Sequence, residues 1–102
     1  MDYKEKLHIA RNIRIIEEIK AELVQSAASA LKALAKDNHQ DAADALTATI
    51  ISTYLLSRRL GIDYQALDNM VTDKLERTAQ CTTAREGIKD DLVTLLEYLS
   101  QA

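Results

Sequence analysis

No proline occurs in this chain, and glycine occurs only twice, at Gly61 and Gly87. A sheet of any size needs tight turns at short intervals, and those two residues are the usual means of making them. With almost none present, the backbone can change direction only a few times. The apolar set of the 102 residues is dominated by alanine, leucine and isoleucine, and the only aromatic residues are four tyrosines. Such a composition favours helix. The fold class is therefore all-α, and the length fits a single domain over residues 1–102.

The remaining turn signals divide the chain into four helices. The first is expected from about Lys4 to Ala35, with Leu7, Ile9, Ala10, Ile13, Ile16, Ile19, Leu23, Ala27, Leu31 and Leu34 recurring at three- and four-residue spacing. Ile15 and Val24 fall beside that stripe and widen it, and "QSAAS" is a place for a bend. The break "KDNHQD" offers Asp37 or Asn38 as the cap of the second helix, and Asp37 with Gln40 has the spacing of a capping box. The second helix runs to Leu60 and stops at Gly61, with Arg58 and Arg59 facing its negative end. Asp63 caps the third helix, which ends near Thr78. Thr83 and Glu86 repeat the capping-box spacing before a last helix with Ile88, Leu92, Leu95, Leu96 and Leu99 on one face.

The second helix is unusual. In a chain that is 28% charged, its residues 45–57, "ALTATIISTYLLS", carry no charge. A helix apolar nearly all round is buried on more than one side. Three neighbours in so short a chain cover it only partly, so a bundle completed by oligomerisation, as a homodimer or homotetramer, is expected. Ala42, Ala45, Ala48 and Thr49 are small enough for a close helix approach.

Several function classes are disfavoured. The formal charge of -3 argues against a nucleic-acid surface. No apolar run reaches the roughly 18 residues of a membrane span. The N-terminus, "MDYKEKLHIARN", is charged throughout and does not read as a secretory signal, and one cysteine, Cys81, fits a cytoplasmic address. His8 and His39 lack the neighbours of a zinc site, Cys81 has no activating base nearby, and no glycine-rich phosphate loop occurs.

The stretch "TYLLSRRLGIDYQALDNMVTDKLER", from Tyr54 to Arg77 in particular, resembles the second half of a MazG-like domain, and "NIRIIEEIKAEL", Asn12 to Leu23, resembles the entry helix of a small MazG-like subgroup. The resemblance is strongest over residues 8–78. It implies an all-α fold and a place among nucleoside triphosphate pyrophosphohydrolases. Those enzymes hold Mg²⁺ between a Glu-Glu-x-x-Glu motif on one helix and a Glu-x-x-Asp motif on the next. Residues three or four apart share a helix face, so two opposed faces make the oxygen-lined cleft that a hard cation requires.

Carried onto this chain, the second motif falls at Ala45 and Ala48, and the first at Glu22, Leu23 and Ser26, with Ser29 one turn on. Of the five usual ligands only Glu22 is acidic. Glu18 precedes it by one turn, so Glu18 and Glu22 are the metal candidates, with Mg²⁺ as the cofactor if the protein is active. Asp41 and Asp44 have a suitable mutual spacing, but in an antiparallel pair they lie roughly 15 Å or more from the glutamates at about 1.5 Å per residue. As first-turn acids they suit the helix dipole. Lys74 matches the family lysine that approaches phosphates; its plainer role is a surface lysine beside Asp73 or Asp68. Catalytic residues are not assigned. The leading expectation is a non-catalytic or weakly active MazG-like oligomer that binds a nucleotide or a protein. The alternative is an active Mg²⁺-dependent pyrophosphohydrolase, and a plain helical scaffold would share the same periodicity.

Overall fold

The computed structural model describes residues 2–80 and 86–101, and among them the regular structure is four helices with no strand. α1 spans Tyr3–Ala35, α2 His39–Arg59, α3 Tyr64–Ala79 and α4 Glu86–Ser100. Each helix end has a local cause. Asp2 caps α1 by accepting from the Lys4 N–H at 2.9 Å. α1 then runs unbroken through Gln25–Ser29, where a bend was allowed for.

Two turns of the same kind close α1 and α2. After α1, Asp37 takes a left-handed conformation, φ 58°, while its N–H reaches Leu34 O and that of Asn38 reaches Ala33 O. After α2, Gly61 has φ 92°, its N–H reaches Arg58 O, and that of Ile62 reaches Ser57 O. This pair of bonds satisfies carbonyls that a helix end leaves open. A side chain at Gly61 would meet nothing within 4 Å, so only the backbone conformation opposes one. Gly61→Ala is expected to cost about 1 kcal/mol, read as a lowered thermal midpoint without loss of helix.

The cap of α2 is Asn38, not Asp37. The Asn38 side chain accepts from the Asp41 N–H at 3.1 Å and donates through Nδ2 to Asp41 Oδ2 at 2.9 Å. Asp37 is occupied instead as the left-handed residue that ends α1. Asp63 caps α3 as expected, accepting from the Ala66 N–H at 2.8 Å. Thr83 and Cys81 lie outside the described residues.

The chain divides into two compact units, Met1–Ile62 and Asp63–Ala102. The first is an antiparallel hairpin of α1 and α2, in which residue 26 meets residue 49 and residue 12 meets residue 59. The second holds α3 and α4. Leu75 is buried there, while Leu92, Leu96 and Leu99 of α4 are half-buried and Ile88 and Leu95 are exposed.

The hairpin keeps only the middle of the expected stripe of α1, Ile16, Ile19, Leu23 and Ala27, on its covered side. The covered side of α1 is Asn12, Ile15, Ile16, Ile19, Leu23, Ser26, Ala27, Ala30 and Ala33. Leu7, Ile9, Ile13, Leu31 and Leu34, all on the predicted stripe, are exposed, whereas Ile15, read as lying beside it, is covered. Small side chains let two helices approach closely, so α2 sits over the alanines and serines. Ile15, Ile16, Ile19 and Leu23 are half-covered beside them, and the other large aliphatics of α1 stay exposed.

Candidate functional site at the helical hairpin

Ser26 is 5% exposed and lies at the centre of the α1–α2 seam. The Thr49 hydroxyl donates to Ser26 Oγ at 2.9 Å, and the Ser26 hydroxyl donates to Leu23 O at 3.2 Å. Thr49 Oγ1 also lies 2.9 Å from Ala45 O. Ser52, 4% exposed, continues the hydroxyl-lined seam one turn along α2. No buried side-chain oxygen or nitrogen among the described residues lacks a partner, as a low-dielectric seam requires.

Ala45 and Ala48 are half-buried beside Thr49. Glu18 and Glu22 are both exposed on α1. Glu17, the neighbour of Glu18, is paired with Lys20 at 2.9 Å on the same solvated surface. Asp41 is engaged with Asn38, and Asp44 Oδ1 accepts from Gln40 Nε2 at 3.3 Å, so both serve the start of α2. Among the described residues, no group of three or more His, Cys, Asp or Glu side chains is placed to hold a metal ion. His39 lies 3.1 Å from Asp37 at the exposed turn, in sequence far from His8. Lys74 is in the other unit, exposed on α3, where it lines a concavity of about 450 Å³ with Leu67, Met70, Val71, Asp73 and Arg77.

The hairpin has two unlike flanks. At about 100° per residue, Glu18, Glu22, Ser29 and Lys32 lie to one side of the covered seam of α1, and Ile13, Val24 and Leu31 to the other. A concavity of about 220 Å³ brings Ser29, Lys32 and Lys36 beside Asp41 of α2. That joins the polar side of α1 to the Asp41 side of α2. Leu46 and Ile50, on the opposite side of α2, therefore share a flank with Ile13, Val24 and Leu31. These five side chains are all about half exposed or more.

The hallmarks of the resemblance are now placed: an α2 without charge from Ala45 to Ser57, a stop at Arg58-Arg59-Leu60-Gly61, and a capping aspartate that opens α3. The profile of the MazG-like family matches residues 9–92. The chain belongs to the MazG-like family. No curated protein and no solved structure matches it. Of the positions onto which the resemblance carries the MazG-like family's carboxylates, Leu23, Ser26, Ala45 and Ala48 are covered at the α1–α2 seam, and Glu22 and Ser29 are exposed. The hydroxyl bond between Ser26 and Thr49 was not legible beforehand. Thr49 stood out only for its small size, and the pairing needs the register between helices.

No helix of the described residues is long and apolar enough to cross a membrane.

Proposed function

We propose that this MazG-like protein is a non-catalytic member of its superfamily and acts as an oligomeric binding module. The observation that carries the reading is the closed hydroxyl pair of Thr49 and Ser26, with Ala45 and Ala48 beside it, where the family motifs call for acids. Mg²⁺ takes an octahedral set of oxygens, commonly one or two carboxylates together with waters and substrate phosphates. Here α1 offers Glu18 and Glu22 on its exposed side and α2 offers alanine, so the two-helix carboxylate cleft of the family is not formed among the described residues. Lys74, with Arg77 one turn on, remains the phosphate candidate, borne by the second unit.

The oligomer rests on the apolar flank. A second copy covering Ile13, Val24, Leu31, Leu46 and Ile50 would complete a four-helix bundle from two hairpins. A standard interface covers about 800 Å² per partner, which is the area a second copy seated on this flank would have to reach.

The second reading, an active pyrophosphohydrolase, is favoured by one observation: Glu18 and Glu22 are exposed on α1 and so are free to meet a cation. Pyrophosphate release from ribo- and deoxynucleoside triphosphates, with Mg²⁺ and with Mn²⁺, separates the two. The folded oligomer is expected to release none above a buffer blank. Turnover that disappears in Glu22→Ala would establish the enzyme instead.

A further inference from the structure

α1 has 33 residues and α2 has 21, so α2 accompanies only part of α1 in the hairpin. At the open end, Asn12 already meets Arg59, the last residue of α2, and the turns of α1 before Asn12 reach past it. α1 also presents an outer edge. Counting on from Tyr3 by four and three residues in turn reaches Ala28 without meeting a covered residue. At about 100° per residue this edge faces away from the α2 seam. Tyr3, Leu7 and Val24 on it are 74%, 49% and 70% exposed. Alternate steps of four and three are the seam of a two-stranded coiled coil, in which each side chain enters a hole between four residues of the facing helix. Leu7, Ala10, Arg11 and Arg14 have the spacing of one such hole, and they line a concavity of about 200 Å³.

The order of residues along the edge names its occupant. In an antiparallel pair of α1 helices, with the two-fold axis at the level of Ile15 and Ile16, Tyr3 meets Ala28, Leu7 meets Val24 and Ala10 meets Ala21. At the centre Arg14 meets Glu17. Each contact occurs twice, because a two-fold interface is self-complementary. Arg11 and Glu18, just outside the seam, meet in the same way. Other alignments lose the match. Parallel helices set Arg14 on Arg14 and Glu17 on Glu17. An antiparallel pair slipped by seven residues sets Arg14 against Val24 or Ala10, and Glu17 against Ala21 or Leu7. A charge covered without its partner is costly, so the central pair selects one orientation and one register. In a single copy Arg14 makes no ion pair among the described residues. Glu17 is bridged by Lys20 at 2.9 Å, and a carboxylate with one such bond keeps room for another.

We propose that the outer edge of α1 is a self-association surface, on which a second copy packs its own α1 antiparallel with Arg14 and Glu17 paired across the axis. The inference rests on the reading that the protein is an oligomer. The flank that carries Leu46 and Ile50 is a different surface, and Val24 lies on the border of the two. The apolar pairs supply the contact area, and the small side chains of Ala10, Ala21 and Ala28 let the helices approach closely. The charges choose the partner helix, its direction and its alignment.

The test is disulfide formation between full-length chains in which Cys81→Ser removes the native thiol. Leu7→Cys with Val24→Cys places two thiols about 25 Å apart on one helix at 1.5 Å per residue, too far to join within a chain. Under mild oxidation this pair is expected to give a covalent dimer at least tenfold faster than either single cysteine, or than Leu7→Cys with Leu31→Cys, which reports the slipped register. Arg14→Glu added to the pair should slow the bridge at least tenfold, and Glu17→Arg added to that should restore it. Lys36→Glu, beyond the paired span, should leave the rate as it was. The edge is overturned if the pair bridges no faster than the single cysteines, if the Leu31 pair matches it, or if the double charge reversal fails to restore what Arg14→Glu removes. Light scattering separates the two failures. An oligomer without the bridge removes this edge and leaves the flank; a monomer at every concentration removes the oligomer itself.

Discussion

Ala30→Leu is expected to cost about 1 to 3 kcal/mol, the usual range for forcing extra methylenes into a packed contact. Ala30 is 2% exposed and faces α2 in the seam that also buries Ala33 and Ala42. A leucine there must push the helices apart, and the displacement would stretch the Thr49–Ser26 hydrogen bond. Gln25→Leu is the control, because Gln25 is exposed on the same helix, away from both the seam and the apolar flank. A surface change of this kind should stay within about 0.5 kcal/mol. Urea denaturation of the two variants decides the matter. Equal midpoints would mean that the small-residue seam is not what holds the hairpin.

A larger effect is expected on the flank. Leu46 and Ile50 are 49% and 58% exposed in a single copy. Were that their final environment, aspartate at either would be nearly neutral. If a second copy covers them, Leu46→Asp with Ile50→Asp buries two unpaired charges, and each costs several kcal/mol unless the interface opens. The expected result is loss of the oligomer in light scattering, together with a marked fall in thermal midpoint. An unchanged mass and melting curve would remove this flank as the interface and leave the bundle without its proposed second half.

The sequence made the helix ends legible because their causes are local. Asp63 and Gly61 act through neighbours within four residues, and both are where capping chemistry places them. The cap of α2 was harder, since Asp37 and Asn38 are both capping residues. Only the need for a left-handed residue after α1 separates their roles. The packing of α1 was legible only in its middle, at Ile16, Ile19, Leu23 and Ala27, for a different reason. Periodicity marks where large apolar side chains recur, but it does not say which neighbour covers them. α2 took the side with Ser26, Ala30 and Ala33, and leucines that read as core were left on a flank. The candidate site was partly legible: counting from Gly61 located Ala45 and Ala48 as positions without acids. The hydroxyl that meets Thr49 could not be read, because partners 23 residues apart are set by tertiary register.

That register has a narrow basis. At its alanine end, Ala27, Ala30, Ala33 and Ala42, the seam offers nearly the same surface at each turn, so that part alone discriminates weakly against a slip by one turn. Two polar contacts break the degeneracy: Thr49 with Ser26 near the middle, and Arg59 with Asn12 near the open end. Each would be lost by a slip, and the first would leave buried hydroxyls without one another. A few polar groups in an otherwise uniform interface are a known way to fix alignment at some expense of stability. In this hairpin Ser26 and Thr49 act as the index pin of the fold: where the alanines alone would let the helices slide, their bond marks the native alignment.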